Sequence, residues 1–337
     1  MAKILSIVGF HVVTSNIYLT AVRSLSSTAG THSGHVLLGG GTGFIGSAFQ
    51  YLLKKRGYEV TIISRMPGPQ RLSWFDITNN GLPSGVTAVV NLAGQNILDP
   101  LKRWTPGLKQ NVRNSRINTT LSLAQAIAKA EKKPGVFVCI SGVGIYKPSP
   151  TAEYDEDSVL GPPFDFLSEL AQEWESASKL EDDNVRRVII RSGVVLGRAG
   201  GMINQLYPPF FFGLGGRIAS GKQYMPWIHI ADMCNLLLFS IENENVSGVL
   251  NGVAPQIITN EEFTKAFASA LNRPALIPLP EFIVNFLFGN ERGKIMTEGQ
   301  KVLPNRVLHY SFKYKYPDIV SATKGCSDIF YSLKKPL

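Results

Sequence analysis

The sequence predicts an α/β fold of the Rossmann type, a doubly wound parallel sheet with a smaller C-terminal lobe. Short apolar runs alternate with helical segments before residue 198. The runs are nearly continuous in apolar residues, which is typical of parallel strands that are covered on both faces. A glycine-rich turn joins the first run to the first helical segment. The expected strands are His35–Leu38, Val60–Ile63, Ala88–Leu92, Val136–Ile140, Val188–Arg191 and Val249–Asn251.

Helical segments fill the connections between these strands, as a doubly wound sheet requires. Gly57 follows the first of them and is placed to end it in the left-handed conformation. Thr259 and Glu262 have the spacing of a capping box and predict the start of a later helix. The main expected helices are Phe44–Arg56, Leu108–Ala130, Phe166–Leu180 and Asp232–Ile241.

The chain divides by composition into three parts. Residues 34–197 carry the strand and helix alternation and are expected to form the sheet domain. Residues 198–337 begin with a stretch rich in Gly, Pro and aromatic residues, and they are expected to form the lobe and a C-terminal segment. Within them, Asp232–Asn251 is expected to return to the sheet.

Residues 1–33 have the composition of a targeting leader. The chain has no acidic residue before Glu59, and this stretch carries Lys3 and Arg23 among many Ser and Thr residues. A basic leader without acidic residues favours import into the mitochondrial matrix over a cytoplasmic location. A secretory signal and an untargeted extension remain alternatives.

Composition excludes several classes of protein. The chain is 44% hydrophobic and 18% charged, which is typical of a globular protein, and it has no unbroken apolar stretch long enough to span a membrane. The net charge of +9 is scattered rather than clustered, so we expect no nucleic-acid binding. The five histidines have no metal-ligand spacing, so we expect no metal. The sequence does not predict an oligomeric state.

The turn Gly39–Gly46 has the spacing of a dinucleotide-binding site. Gly40 would allow the tight turn, Gly43 would let the backbone approach a pyrophosphate, and Gly46 would let the helix and the strand pack. The helix N-terminus would offer free N–H groups to the anion. The expected contacts in this turn are Gly40, Thr42, Gly43, Phe44 and Ile45.

The residues after the second strand favour NADP over NAD. In an NAD site, an Asp or Glu at this position binds the ribose 2′-hydroxyl. This chain instead has Ser64 and Arg65, and no carboxylate before Asp76. Ser64 can donate a hydrogen bond to a 2′-phosphate, and Arg65 can pair with it, helped by Arg71.

Several motifs together resemble the extended and atypical short-chain dehydrogenase/reductases, and in particular their 39U-type epimerase family. These are GGGTGFIG from Gly39, NLAG from Asn91, SGVGIY from Ser141, RSGVVLG from Arg191, PWIHIAD from Pro226 and the C-terminal stretch from Phe288. The resemblance implies a Rossmann fold with a substrate lobe, an NADP cofactor and a small-molecule substrate. It also implies cofactor contacts by Asn91, Leu92, Ala93, Gly94, Arg116 and Val195.

The helix after the third strand offers one more candidate. Asn111 lies four residues before Ser115 on the same face, so both could point toward the cofactor.

The chain departs from the family pattern at its proton donor. Reductases of this superfamily carry a Tyr-xxx-Lys pair whose tyrosine is the general acid or base, and the corresponding positions here are Phe166 and Leu170. Ser141 matches the catalytic serine of the family, and Tyr146 is the nearest tyrosine that could replace the missing acid. Both are therefore catalytic candidates.

Two functions follow. The first is an NADP(H)-dependent oxidoreductase or epimerase that acts on a small carbonyl or hydroxyl compound, nucleotide-linked ones included. The second is an NADP-binding sensor or scaffold without turnover. His229 and Asp232 are read as structural, with Asp232 capping the helix that begins there.

Overall fold

The computed structural model describes residues 34–66, 68–69, 71–97, 102–181 and 184–327. The predicted leader, residues 1–33, lies outside them, as do the last ten residues.

A seven-stranded sheet, parallel throughout, forms the centre of the molecule. Its strands are β1 (His35–Gly39), β2 (Glu59–Ile63), β3 (Arg71–Leu72), β4 (Val86–Asn91), β5 (Val136–Gly142), β7 (Arg186–Ser192) and β10 (Gly248–Gly252). Their spatial order is β3-β2-β1-β4-β5-β7-β10. The order reverses between β1 and β4, and ligands of doubly wound sheets bind outside the carboxyl ends of the strands at such a point.

Helices cover both faces of this sheet. On one face, α1 (Phe44–Lys55) and α6 (Ile230–Glu242) bury their apolar side chains against Val36 and Leu38. On the other face, α2 (Trp74–Asn80) and α3 (Pro106–Lys129) pack against Leu37. Side chains of successive strand residues point to opposite faces, so β1 is buried on both sides. This burial explains why its sequence is continuously apolar.

A second hydrophobic core lies in the lobe. It contains Tyr207, Phe210, Trp227, Phe263 and Phe267. The remaining strands form two small parallel pairs, β6 (Glu153–Tyr154) with β11 (Lys301–Val302) and β8 (Val194–Leu196) with β9 (Trp227–His229). The remaining helices are α4 (Phe166–Ala177), α5 (Gly201–Phe211), α7 (Asn260–Ala270), α8 (Glu281–Phe288), α9 (Asn290–Thr297), α10 (Asn305–His309) and α11 (Ile319–Cys326).

The local signals explain most element ends. Gly57 has a φ of +85°, and Thr259 and Glu262 form both bonds of the predicted capping box. Helix α2 was not expected from the sequence. Ser73 and Asp76 form a capping box at its start. The helix has only seven residues, so it has no apolar periodicity to support that signal.

The predicted cap of α6 is wrong. His229 is the N-cap, and its Nδ1 accepts from the amide of Ala231 at 3.1 Å. The carboxylate of Asp232 is fully buried and instead accepts from the amides of Lys315 and Tyr316, at 2.6 and 2.9 Å. Asp232 therefore anchors the C-terminal segment. Sequence spacing could not reveal this because the partner amides lie far along the chain.

Candidate functional site

Two glycines shape the turn at the carboxyl end of β1. Gly40 has a φ of +74°, and a Cβ placed on it would lie 2.7 Å from the backbone of Leu92 and Ala93. A Cβ on Gly46 would lie 2.2 Å from the carbonyl oxygen of Gly40. The helix can therefore pass over the turn only because both positions lack side chains.

The N-terminus of α1 is open to a ligand. Gly43 is its N-cap and is exposed, no side chain of the described residues caps the helix, and its first turn has no acidic residue. Thr42 is exposed beside it, whereas Phe44 and Ile45 are half-buried. An uncapped helix end of this kind attracts an anion through its free N–H groups and its dipole.

The residues at the end of β2 include an exposed cation, Arg65. Arg65 is exposed and forms no ion pair with any residue that the structure describes. Ser64 is buried, and its Oγ accepts from the amide of Met66 at 3.1 Å. The side chain of Arg71 lies along Gly68. Ser64 thus holds the turn that presents Arg65, while its own proton stays available for donation.

The segment Asn91–Gly94 passes close to the glycine turn, and Asn91 determines its shape. The Oδ1 of Asn91 accepts from the amide of Ala93 at 3.1 Å, and its Nδ2 donates to Thr120 Oγ1 at 2.8 Å. Leu92 donates its amide to the carbonyl of Gly39 at 2.9 Å. Asn91 is completely buried and Gly94 is exposed. The Asn91 side chain therefore holds the backbone of this segment beside the glycine turn, at the carboxyl end of β4.

Arg116 holds the next stretch of the same loop. Its Nη2 donates to the carbonyl of Gln95 at 3.0 Å, and its guanidinium lies 5.1 Å from the ring centroid of Trp174. Burial lowers the pKa of Arg116 to about 10. Ser115 helps by accepting from the Gln95 amide, whereas Asn111 is exposed one turn earlier. The two predicted cofactor contacts thus differ, because the Arg116 side chain is fixed by contacts within the protein whereas the Asn111 side chain is exposed.

Ser141 lies next to last in β5 and has an unused hydroxyl. The residue is 4% exposed, and its Oγ is buried with no hydrogen-bond partner among the described residues. Buried polar atoms in native proteins are nearly always paired, so an orphan at the carboxyl edge of a sheet marks a position for a ligand group.

Tyr146 belongs to a buried network instead. Its hydroxyl accepts from Arg191 Nη1 at 2.8 Å and lies 3.0 Å from Asn251 Oδ1 and 2.9 Å from the carbonyl of Asp155. Arg191 in turn binds both carboxylate oxygens of Glu175 at 2.8 Å. Burial raises the pKa of Tyr146, although Arg191 opposes the shift. The catalytic role of Tyr146 stays a prediction that this geometry disfavours, because the hydroxyl already has three partners.

The two residues that replace the Tyr-xxx-Lys pair are held by packing contacts. Phe166 begins α4 and packs edge-on against Trp104, with ring centroids 5.4 Å apart. Lys109 Nζ lies 5.1 Å from the Phe166 ring centroid. Leu170 is 3% exposed. Neither residue can transfer a proton.

Val195, a predicted cofactor contact, lies beside the start of α5 in the lobe. It lies in β8, half-buried against the main core, and its carbonyl oxygen is 3.2 Å from where a Cβ of Gly201 would be.

One residue of the C-terminal stretch from Phe288, for which the resemblance implied no role, supports the Ser141 loop. Gln300 is buried, and its Nε2 donates to the carbonyl of Val143 at 2.8 Å. The contact joins residues that are far apart in sequence, so no local sequence pattern indicates it.

The described residues contain no group of His, Cys, Asp and Glu side chains that could hold a metal ion. None of their helices has the length and apolar character needed to cross a membrane.

A glycine turn under an uncapped helix, at the switch point of a parallel sheet, defines a Rossmann protein of the short-chain dehydrogenase/reductase class. The chain belongs to the NAD dependent epimerase/dehydratase family, whose model matches residues 36–251. A second family model, described as a domain of unknown function (DUF1731), matches residues 279–324. The resemblance to the 39U-type epimerase family and the predicted fold are thereby confirmed.

Similar proteins cover nearly the whole described chain. The Bos taurus protein "Epimerase family protein SDR39U1" is 53% identical over 290 residues, which are 86% of this chain and 98% of that protein. Its Homo sapiens counterpart is 50% identical over 289 residues, with the same coverage. A crystal structure of human epimerase family protein SDR39U1 (isoform 2) with NADPH has a TM-score of 0.85 at 50% identity. It covers 87% of this chain and 99% of the human one.

Proposed function

We propose that this protein binds NADP(H) across the carboxyl edge of its sheet and acts as an NADP(H)-dependent oxidoreductase or epimerase on a small carbonyl or hydroxyl compound. The observation that carries the proposal is the uncapped N-terminus of α1 above a turn where Gly40 and Gly46 leave no room for side chains. A pyrophosphate fits this arrangement because free N–H groups can reach it without interference. The human relative solved with NADPH supports the same reading.

Arg65 supports NADP over NAD. A cation without an ion-pair partner among the described residues can bind a 2′-phosphate without first breaking a contact. The Ser64 hydroxyl can add a second hydrogen bond. A carboxylate, which would hold the 2′-hydroxyl of NAD, is absent from the described residues that end β2.

The Arg65→Asp variant tests this assignment. Hydrogen bonds to charged groups contribute roughly 1.5–3 kcal/mol, so calorimetric titration should show at least a tenfold loss of NADPH affinity with little change for NADH. Arg56→Asp, a charge reversal at another exposed arginine, should leave both affinities unchanged. Equal affinities of the unmutated protein for NADPH and NADH would overturn the assignment.

The Ser141 hydroxyl supports a role in chemistry. Hydride transfer to a carbonyl carbon leaves negative charge on the oxygen, and a buried hydroxyl without another partner can donate to that oxygen. Phe166 and Leu170 cannot supply the proton that completes the reduction.

The alternative function is an NADP-binding sensor or scaffold without turnover. Phe166 and Leu170 favour it because neither can transfer a proton, and so does Tyr146, whose hydroxyl is already hydrogen-bonded to Asn251 and Arg191. Measuring NADPH consumption over a panel of aldehydes, ketones and sugar nucleotides separates the two functions. Turnover supports the enzyme, and tight NADPH binding without turnover supports the sensor.

A further inference from the structure

Two polar side chains outside the predicted cofactor contacts, the half-buried Arg198 and the buried Tyr207, each have a buried polar atom without a hydrogen-bond partner among the described residues. Arg198 follows Gly197 just after β8, and Tyr207 lies in α5. The guanidinium carbon of Arg198 is 3.4 Å from the ring centroid of Tyr207. Arg198 Nε and the Tyr207 hydroxyl are both buried, and neither forms a hydrogen bond with a described residue. Tyr207 is only 7% exposed.

This arrangement is unusual because the guanidinium groups of Arg116 and Arg191 both have hydrogen-bond acceptors in the protein. The Arg191 guanidinium, for comparison, binds both oxygens of Glu175. A guanidinium is a cation with several N–H donors and no acceptor, yet Arg198 forms no ion pair within the described part of the chain. A buried donor without a partner costs free energy, so its persistence calls for a function.

The loop that carries Arg198 lies against the cofactor helix. A Cβ on Gly200 would be 2.6 Å from Phe44 Cδ2, and one on Gly197 would be 2.8 Å from Phe44 Cζ. Phe44 is the first residue of α1, whose uncapped N-terminus is the proposed pyrophosphate site. The Arg198 loop therefore borders the cleft in which the phosphates of a bound dinucleotide would lie.

We propose that Arg198 and Tyr207 form an oxyanion subsite for a phosphate or carboxylate group at the border of this cleft. The guanidinium supplies charge and N–H donors, the tyrosine hydroxyl supplies another donor, and stacking on the ring fixes the plane of the guanidinium. The oxyanion belongs either to the cofactor or to a second ligand, the substrate. The second source rests on the proposed function, because it requires a substrate beside NADPH.

Calorimetric titration of inorganic phosphate tests the subsite, using both the cofactor-free and the NADPH-loaded protein. Phosphate should bind, and Arg198→Met should weaken that binding at least tenfold. Tyr207→Phe, which keeps the ring and removes only the hydroxyl, should weaken it less. Arg56→Met makes the same substitution at an exposed arginine and should have no effect. Arg198→Lys, which keeps the charge, should lie between the unmutated protein and Arg198→Met and serves if Arg198→Met does not fold.

The source of the oxyanion follows from the NADPH titrations. Phosphate binding to the loaded protein, with unchanged NADPH affinity in Arg198→Met, assigns the subsite to a second ligand. Competition between phosphate and NADPH, with both weakened in Arg198→Met, assigns it to the cofactor. Absence of phosphate binding to either form, losses within twofold in the Arg198 variants, or an equal loss in Arg56→Met overturns the subsite. If the unmutated protein fails to bind NADPH, the proposed function fails, while phosphate titration of the cofactor-free protein still decides the subsite.

Discussion

Gly46 is the residue whose lack of a side chain matters most for the cofactor cleft. A Cβ there would lie 2.2 Å from the carbonyl oxygen of Gly40 and 2.7 Å from the Cα of Gly41. Backbone atoms cannot rotate away as a side chain can, so the helix itself would have to move.

Gly46→Ala should therefore lower the free energy of unfolding by about 1–3 kcal/mol, the usual cost of overpacking, and weaken NADPH binding more than tenfold. Gly107→Ala is the matched control, because a Cβ at that helical position meets nothing within 4 Å. The control should be neutral or slightly stabilising. Thermal denaturation and calorimetry would measure both effects, and a Gly46→Ala protein with unchanged NADPH affinity would contradict the expectation.

His229 predicts a loss of stability in mild acid. Burial, together with the charge of nearby Lys315, lowers its pKa to about 4. The unfolded chain binds a proton near the ordinary pKa of 6.5, whereas the folded protein does not. The contribution of His229 is therefore fully present above pH 6.5 and is lost as the pH falls toward 4, by up to about 3 kcal/mol.

His229→Asn should flatten that pH dependence. Asparagine is a good N-cap residue and can accept from the amide of Ala231 as the imidazole does, but it does not titrate. Urea denaturation at several pH values between 4 and 7 would compare the two proteins. Parallel stability profiles would show that His229 does not control acid sensitivity.

At the scale of elements, the Tyr146 network joins β5, β7, β10 and α4. It links the turn after β5 to Arg191 in β7, Asn251 in β10 and Glu175 in α4. These four elements meet at the carboxyl edge of the sheet, so the network fixes the position of one wall of the cleft.

Tyr146→Phe should lower the free energy of unfolding by about 1–3 kcal/mol, because it leaves buried partners of the hydroxyl unsatisfied. Tyr51→Phe is the control, since the hydroxyl of Tyr51 forms no hydrogen bond within the described residues. If NADPH-dependent turnover is found and Tyr146 is only structural, the kcat of Tyr146→Phe should lie within about threefold of the kcat of the unmutated protein. A loss of the 10²–10⁴-fold that is typical of general acids would restore its catalytic assignment.

The sequence predicts elements well where a local pattern specifies them. The apolar runs located β1, β2, β4, β5 and β7, and the glycine spacing located the turn that ends β1. The two-residue pairing of β6 with β11 left no such pattern, because Glu153 and Lys301 lie far apart in sequence. The same reason hid the contacts of Gln300, Arg198 and Tyr207, each of which depends on tertiary packing.

At the scale of the whole molecule, the described residues form a sheet domain and a lobe that depend on one another. Residues 279–324, matched by the domain of unknown function, belong to the core of the lobe and also contact the sheet. Asn251 Nδ2 donates to the carbonyl of Leu303, and Tyr314 donates its hydroxyl proton to the carbonyl of Val253. This segment therefore packs against β10, the edge strand of the main sheet.

We propose that residues 1–33 are a mitochondrial leader and are dispensable for folding, because β1 begins at His35 and the predicted sheet needs nothing earlier. A chain beginning at Ser33 should unfold at the same temperature as the full chain. A fluorescent fusion of residues 1–34 should enter mitochondria. Failure of the shortened chain to fold, or diffuse cytosolic fluorescence, would contradict the respective part of this proposal.

Asp232 also bears on the order in which the molecule can fold during synthesis. The amides that hydrogen-bond its buried carboxylate, those of Lys315 and Tyr316, are synthesised 83 and 84 residues later. At ribosomal rates that delay is roughly 4–17 s. Until then the carboxylate must stay hydrated or take up a proton, since burying it without donors is costly. Helix α6 thus reaches its final place against the sheet only after Lys315 and Tyr316 have been synthesised.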